Sequence, residues 1–195
     1  MSLPIETERL VLRRFTLEDA CDLRALVADA SFSRAVPEME PTGLGILRYI
    51  ERQLAYQAFE PERVFDLAIE RRADHLVIGL LTLVRRDQAG AIGWALGVDF
   101  RQRGYAAEAA AAMLDYGFAS LGLCRVEAET SVHNEPSWRL MEHLGMRREG
   151  RLREATVEDG KPLDSYLYAV RSEEWRAARL CHAGPVTPKE EEECP

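Results

Sequence analysis

The chain of 195 residues lacks a long hydrophobic run, and none of its apolar stretches approaches the roughly 18 residues that a membrane-spanning helix needs. The amino terminus also lacks an apolar segment of the signal-peptide type, because Glu6, Glu8 and Arg9 interrupt it at once. These absences argue against a membrane span and against a secretory signal. They favour a cytoplasmic protein.

Positive charge is in short supply. The chain has 25 Lys and Arg residues against 33 Asp and Glu residues, which gives a formal net charge of -8 at pH 7. This balance argues against binding to a phosphate backbone, so we expect no nucleic-acid partner. It is compatible with a cationic substrate such as an amine. The hydrophobic content of 47% is typical of a soluble globular protein, and the length suits one domain.

Cysteine pairs of the metal-binding or redox type are absent from the sequence. The four cysteines show no C-x-x-C motif and no metal-type spacing, so we expect neither a metal site nor a catalytic thiol. Cys124 lies in an apolar run at 121–126 and is predicted to be a small core residue. The loops G-x-x-x-x-G-K-[ST] and G-x-G-x-x-G are also absent, which excludes the usual nucleotide-binding motifs.

The sequence does contain alternating strand-like and helix-like patterns. The strand-like patterns predict strands at 9–13, 64–70, 76–84, 91–96, 125–131, 146–154 and 163–170. The helix-like patterns predict helices at 16–27, 47–59, 106–120 and 134–144. Short turns join the second, third and fourth strands, which indicates an antiparallel meander. The order implies one α/β domain over residues 1–175 with a mixed sheet, followed by a polar, flexible tail at 176–195.

The most informative segment is 99–108, where a strand ends, a turn with glycine follows and an alanine-rich helix begins. The first N–H groups of a helix have no internal partner and lie at the positive end of its dipole, so a diphosphate can bind there. Gly104 permits a positive φ, and Ala106 is the next crowded position. Arg101 and Arg103 supply positive charge for phosphate oxygens. Taken alone, R-x-x-G-x-A is a weak pattern that equally suits an ordinary strand-to-helix turn.

Motifs on both sides of this turn favour the phosphate-binding interpretation. They are T-E-R-L-V-L-R at 7–13, I-G-W at 92–94, the turn itself at 101–108, N-E-P-S at 134–137, H-L-G-M at 143–146, E-G at 149–150, and the segment 159–168. In this order they resemble the GCN5-related N-acetyltransferases (GNAT), and in particular the RimJ and RimL type of ribosomal-protein N-terminal acetyltransferase. The resemblance covers residues from about 5 to about 175.

The resemblance implies a single GNAT-type domain, with a mixed and mostly antiparallel sheet of about seven strands and about four helices. It also implies direct transfer of an acetyl group from acetyl-CoA to a primary amine, without a metal. The strand before the turn would separate from its neighbour at a bulge, which Gly97 suits, and expose N–H groups to the thioester oxygen. The implied cofactor contacts are Leu96, Gly97, Val98, Arg101, Arg103, Gly104, Tyr105, Ala106 and Asn134.

The resemblance also assigns roles within 134–137. The Asn134 side chain would contact the pantetheine arm, and the Ser137 hydroxyl would lie near the cofactor sulfur as the general acid. From the residues alone, Asn followed by Ser three residues later is equally a good helix N-terminus. Tyr105 is expected to pack against the cofactor rather than to stack on it.

No general base is assigned. Many family members have Glu where Ala91 stands, and some ribosomal-protein members have Glu where Thr156 stands. Glu154, Glu158 and Asp164 are nearby alternatives, and direct attack by an already neutral amine is another.

The acceptor stays open as well. The N-terminal α-amine of a protein or peptide is expected, because its pKa of about 7.7–8.0 leaves a larger neutral fraction at pH 7 than lysine has. A small amine, such as a polyamine, an amino-acid derivative or an antibiotic, is the enzymatic alternative. A non-catalytic acyl-CoA sensor is a third interpretation. The sequence leaves the oligomeric state open, a homodimer included.

Overall fold

The structure, a computed structural model, describes residues 3–57, 62–158 and 160–182, within which the chain forms eight strands and six α-helices. The strands are β1 (Ile5–Glu6), β2 (Leu10–Arg13), β3 (Val64–Arg71), β4 (Leu76–Arg86), β5 (Ala89–Leu96), β6 (Arg125–Ser131), β7 (Arg147–Glu158) and β8 (Lys161–Arg171). The helices are α1 (Ala20–Val27), α2 (Ala30–Ala35), α3 (Gly43–Tyr56), α4 (Tyr105–Ala119), α5 (Glu135–His143) and α6 (Ser172–His182). None of the described helices is long and apolar enough to cross a membrane.

All eight strands belong to one sheet, in the order β1-β2-β3-β4-β5-β6-β8-β7. β5 and β6 are parallel, and every other neighbouring pair in the described sheet is antiparallel. β3, β4 and β5 form the expected meander. α4 connects β5 to β6, because parallel neighbours need a crossover of this kind. The expected mixed and mostly antiparallel GNAT-type sheet is therefore confirmed, with β1 as an additional short strand.

Helices cover both faces of the sheet. On β3, Leu67 and Ile69 pack into the same buried cluster as Met113 of α4. Ala68, between them, packs into a second cluster with Leu23 of α1. Successive side chains of a strand point to opposite faces, so this alternation places α4 on one face and α1 to α3 on the other. The molecule has three layers, and the sheet is the middle one.

Local signals explain where most helices begin and end. The backbone N–H of Thr16 donates to the Asp19 carboxylate at 2.8 Å, which caps the helical segment that starts at Leu17. α2 was not predicted, although Asp29 caps it by accepting the Ser31 N–H at 2.9 Å and the Phe32 N–H at 3.0 Å. The Asp-x-Ser pattern before α2 was the signal that could have identified it.

The last described helix extends beyond the expected end of the domain. α6 runs from Ser172 to His182, so the predicted boundary at 175 falls inside it. Trp175 is only 6% exposed, and its Nε1 donates to Asp115 of α4 at 2.7 Å. The rest of the predicted tail, 183–195, lies outside the described residues.

Cys124 corrects a prediction, because it is exposed and not a core residue. It stands directly before β6, where its backbone N–H donates to the Gln88 carbonyl oxygen at 2.7 Å. The core position at this point of the chain belongs to Leu123, which is 2% exposed. The apolar run at 121–126 therefore predicted that this segment reaches the core, but it did not show that Leu123 rather than Cys124 is buried there.

Candidate active site

β5 and β6 are paired where they begin and separate further along. Their parallel register joins Ala89 to Arg125, Gly90 to Val126 and Ala91 to Glu127. Beyond these pairs, β5 continues to Leu96 and β6 continues to Ser131. The two strands thus enclose an opening, called the wedge below, between residues 92–96 of β5 and 128–131 of β6.

Backbone N–H groups of β5 point into the wedge. The Gly97 N–H donates to the Ile78 carbonyl oxygen of β4 at 3.0 Å. N–H groups of successive strand residues point to opposite sides, so those of Leu96 and Trp94 point away from β4 and into the wedge. On the same side, the Leu96 carbonyl oxygen accepts a hydrogen bond from Arg101 Nε at 3.0 Å. N–H groups placed in this way can stabilise negative charge that develops on an oxygen.

This geometry corrects the role predicted for Gly97. β5 pairs with β4 without a register shift, so Gly97 forms no bulge, and its N–H is bonded to β4. The absence of a side chain at Gly97 leaves room for two neighbours, because a Cβ would lie 2.5 Å from Leu26 Cδ2 of α1 and 3.2 Å from Phe100 Cδ2 and these side chains would have to shift. Val98 already belongs to a short 3-10 segment and is 53% exposed. The alternation of strand N–H groups therefore directs that of Leu96 into the wedge and that of Gly97 towards β4.

The turn after β5 presents further amide groups. Gly104 has the predicted positive φ, +79°, and stands at the N-cap of α4. The first hydrogen bond of the helix runs from the Glu108 N–H to the Gly104 carbonyl oxygen at 3.0 Å. The N–H groups of Tyr105, Ala106 and Ala107 therefore have no partner within the helix. Partial positive charge at this end of α4 makes it a place for an anion.

Gln102 is a site residue that the sequence patterns did not identify. Its φ is +59°, a left-handed conformation that costs a non-glycine side chain roughly 1–2 kcal/mol. Together with Gly104 it folds the turn tightly between β5 and α4. No local pattern marks Gln102, since glutamine has no preference for this conformation.

The wedge and the turn open into one cleft of about 1740 Å³. Among the predicted site residues, the cleft is lined by Leu96, Arg101, Gly104, Tyr105, Ala106, Asn134 and Ser137. Its opposite wall is formed by residues between 24 and 43, from the end of α1, from α2 and from the start of α3. Within the described part of the chain, Gly97, Val98 and Arg103 are not among the lining residues.

α5 brings Asn134 and Ser137 to the cleft. Asn134 stands at the N-cap, where its carbonyl oxygen accepts the N–H groups of Ser137 at 3.1 Å and of Trp138 at 3.2 Å. The Asn134 side chain makes no capping hydrogen bond to the described residues, so the expected side-chain cap is absent from them. Pro136 in the first turn fixes the start of the helix in any case. The Asn134 amide is thereby available to a ligand.

Two of the carboxylates considered as general bases, Glu154 and Asp164, are not among the described residues that line the cleft. Asp164 accepts hydrogen bonds from the Glu154 N–H at 3.0 Å and from Arg151 Nε at 2.7 Å, and these hold its pKa below the ordinary value. The side chain of Glu158 lies outside the described residues. Among the described lining residues there is no carboxylate, whereas Thr156 is one of them. The pairing of β7 with β8 is irregular between Leu152 and Thr156.

The charged side chains in the described lining of the cleft are opposite in sign to the net charge of the whole protein. The charged side chains among its described lining residues are Arg24, Arg34 and Arg101, all cationic, although the net charge of the chain is -8. A concave surface of one sign concentrates ligands of the opposite sign. The cleft can therefore take a polyanion at the turn and an acyl group in the wedge.

Comparisons with known proteins agree with this geometry. Residues 9–147 match the family described as acetyltransferase (GNAT) domain. The uncharacterized N-acetyltransferase YnaD of Bacillus subtilis (strain 168) is 28% identical over 173 residues, which cover 88% of this chain and 98% of that protein.

Two solved structures have the same fold. The acetyltransferase (GNAT family) from Bacillus anthracis is 27% identical with a TM-score of 0.75, and the match covers 87% of this chain and 98% of that one. Mycobacterium smegmatis RimJ, solved in complex with CoA-disulfide, is 26% identical with a TM-score of 0.73 over 90% of this chain and 89% of that one. The chain belongs to the GNAT acetyltransferase family, and it is an N-acetyltransferase.

Proposed function

We propose that this N-acetyltransferase takes its acetyl group from acetyl-CoA and transfers it to the N-terminal α-amine of a protein or peptide, as enzymes of the RimJ and RimL type do. The observation that supports acetyl-CoA as the donor is that one cleft combines three features. They are the wedge, the N–H groups at the start of α4 that have no partner within the helix, and Arg101. A CoA ligand is supported by RimJ of M. smegmatis, which was solved with CoA-disulfide.

The residues of the cleft suit each part of the donor. The diphosphate would accept hydrogen bonds from the N–H groups at 105–107, which the turn presents because Gly104 adopts a φ of +79°. Arg101, which lines the cleft, is better placed than Arg103 to add a charged hydrogen bond. The Asn134 amide would hold the pantetheine arm, and the thioester would then lie in the wedge.

When bound, acetyl-CoA supplies an acetyl group activated as a thioester. The N–H groups of Leu96 and Trp94 would stabilise the negative charge that develops on the thioester oxygen as the amine attacks. The C–N bond forms and the C–S bond breaks, and the leaving sulfur takes a proton from the Ser137 hydroxyl. The surplus proton of the amine passes to water, and solvent returns a proton to Ser137.

The charge of the cleft favours a terminal α-amine over a polyamine. A polyamine needs carboxylates to replace its water, and the described cleft lining has Arg24, Arg34 and Arg101 but no carboxylate. A terminal α-amine, with a pKa of about 7.7–8.0, can also enter in its neutral form more often than lysine, whose pKa is about 10.4. The absence of an acidic base in the described lining suits an acceptor that loses its proton easily.

The test combines binding and turnover. Calorimetry measures the binding of acetyl-CoA to the wild-type protein and to Gly104→Glu, which adds a negative side chain at a position with φ +79°. Gly104→Glu is expected to abolish binding. Absence of heat with the wild-type protein, or equal heat with both proteins, rejects the donor site.

Turnover is then followed by thiol release with two peptides of one sequence, one with a free and one with a blocked N-terminus, and with spermidine. We expect release with the free peptide and a single acetyl group on its α-amine by mass spectrometry. Turnover with spermidine and with neither peptide rejects the proposed acceptor. Binding of acetyl-CoA without thiol release from any acceptor supports the sensor interpretation.

A further inference from the structure

One side chain from the amino-terminal segment lies against the end of the turn and the first residue of α4. Arg9 Nη1 donates to the Arg103 carbonyl oxygen at 3.0 Å, and the Arg9 guanidinium lies 4.7 Å from the centre of the Tyr105 ring. Between them, a Cβ built on Gly104 would lie 3.2 Å from Arg9 Nη2. Arg9 therefore lies behind residues 103–105.

The same arginine is fixed by an ion pair with the first turn of α4. Arg9 Nε donates to Glu108 Oε2 at 2.6 Å, and the Arg9 backbone N–H donates to Glu108 Oε1 at 2.8 Å. Thr7 Oγ1 donates to Glu108 Oε1 at 2.6 Å. The Glu108 side chain is only 17% exposed. These bonds tie residues 7–9 to a helix that is 99 residues away in sequence.

Arg9 does not share the cleft with the cofactor. Arg9 and Glu108 line a separate groove with residues 5–8, whereas Gly104, Tyr105 and Ala106 line the cleft on the other side of the turn. Any effect of Arg9 on the donor must therefore pass through the turn.

We infer that Arg9 is a positioning residue for the diphosphate of the donor, an inference that rests on the acetyl-CoA site proposed above. The guanidinium holds the Arg103 carbonyl and the start of α4 in the one arrangement that directs the N–H groups at 105–107 into the cleft. It also neutralises Glu108, which would otherwise place an unpaired negative charge beside the helix end that receives the diphosphate. The Thr7 and Arg9 of the T-E-R-L motif thus acquire a role in donor binding.

A donor that lacks the diphosphate separates this role from a general structural one. S-Acetylpantetheine keeps the thioester and the pantetheine arm but has no phosphate to bind at the turn. Arg9→Gln is expected to weaken acetyl-CoA binding about tenfold, the size of one charged hydrogen bond, with kcat at saturation unchanged. The KM for S-acetylpantetheine should stay within about twofold of the wild-type value, which is less than one neutral hydrogen bond.

Arg179→Gln is the matched control. Arg179 forms an exposed ion pair with Asp115 on the same helix α4, but away from the turn. This variant should bind both donors as the wild-type protein does. Arg9→Lys is the second variant, used also if Arg9→Gln does not fold, because an ammonium keeps the charge but lacks the guanidinium fork that reaches Glu108 and Arg103 together.

Two outcomes overturn the inference. An equal loss for acetyl-CoA and S-acetylpantetheine shows that Arg9 supports the whole cleft and not the diphosphate. Unchanged acetyl-CoA binding in both Arg9 variants shows that the turn holds its shape without the arginine. A wild-type protein that binds no acetyl-CoA rejects instead the proposed function on which the inference rests.

Discussion

Ser137 is the residue on which the proposed chemistry can be tested most directly. It is half-buried, lines the cleft and lies in the first turn of α5, directly after the N-cap position at Asn134 and residues 135–136. If its hydroxyl protonates the leaving sulfur, Ser137→Ala should lower kcat roughly 100-fold, the lower range for general acid catalysis, and change the KM for acetyl-CoA much less. Steady-state kinetics with a thiol reagent measures both constants.

The exposed Ser120, just after α4, offers the control substitution Ser120→Ala, which should leave both constants unchanged. A kcat of Ser137→Ala equal to that of the wild-type protein would remove this hydroxyl from the mechanism. Water would then be the proton donor.

Asp66 is a second residue with a measurable signature, here in stability. Burial raises the pKa of its carboxyl above the ordinary 3.8, and hydrogen bonds from Tyr49 and Thr82 offset this only in part. A carboxyl with a raised pKa in the folded state stabilises the fold at low pH, and this contribution is lost as pH rises through the folded-state pKa. Asp66→Asn keeps the hydrogen-bonding shape without the charge. The unfolding free energy of Asp66→Asn minus that of the wild-type protein should therefore increase as pH increases.

Urea denaturation at several pH values between about 5 and 8 measures this difference. Asp164→Asn is the comparison, because hydrogen bonds from the Glu154 N–H and Arg151 lower the pKa of Asp164, so the stability that this carboxylate supplies is present above its ordinary pKa. The Asp164 variant should be less stable than the wild-type protein throughout this range. A pH-independent difference for Asp66→Asn would contradict the assignment.

At the scale of elements, the position of β5 against β4 determines the geometry of the wedge. Gly79 on β4 faces Leu96, and a Cβ there would lie 2.2 Å from the Ala95 carbonyl oxygen and 3.0 Å from Leu96 Cα. Because backbone atoms cannot yield as side chains do, Gly79→Ala should displace the end of β5. We expect a loss of roughly 1–3 kcal/mol in unfolding free energy, as for other overpacked sites.

The displacement should also weaken acetyl-CoA binding, which calorimetry measures on the folded variant. Gly93 provides a control on β5 itself, since a Cβ at this position meets nothing within 4 Å. Gly93→Ala should change stability by less than about 1 kcal/mol. A Gly79 variant that is as stable and binds as well as the wild-type protein would show that the strand end adapts.

Elements with local signals could be predicted from the sequence, and those shaped by distant contacts could not. α5 is bounded by Asn134 and Gly145, which has φ +75°, and β6 coincides with its alternating pattern at 125–131. The role of Gly97 depends on Leu26 of α1, and no pattern near residue 97 contains that contact. The positive φ of Gly104 was predictable for the same reason as α5, because glycine itself is the signal.

The site as a whole was predicted in part. The sequence motifs located the turn and the helix that carries Ser137, and the structure brings both to one cleft. They did not indicate Gln102, nor that the Arg9 of an amino-terminal motif lies behind the turn. Both depend on how the backbone folds in three dimensions. The motif at 7–13 was recognised by its resemblance to a family motif. The structure explains it physically through the contact between Arg9 and Glu108.

At the scale of the whole molecule, a protein of net charge -8 has only cationic side chains among the charged residues of its described cleft lining. Screening by salt shortens the range of the attraction between Arg24, Arg34 and Arg101 and the phosphates of the donor. An increase in salt from about 0.05 M to about 0.5 M should therefore raise the Kd of acetyl-CoA several-fold. S-Acetylpantetheine, which is uncharged, serves as the control and should bind equally at both salt concentrations. An equal response of the two donors would contradict an electrostatic contribution from these arginines.

The short parallel pairing of β5 with β6 affects how ligand binding stabilises the molecule. Only three residue pairs join the strands of one half of the sheet, β1 to β5, to those of the other half, β6 to β8. A ligand bound in the wedge would contact both halves of the sheet and would hold them together. Binding of the donor should raise the melting temperature of the protein. Release of the product should allow the two halves of the sheet to move more freely relative to each other.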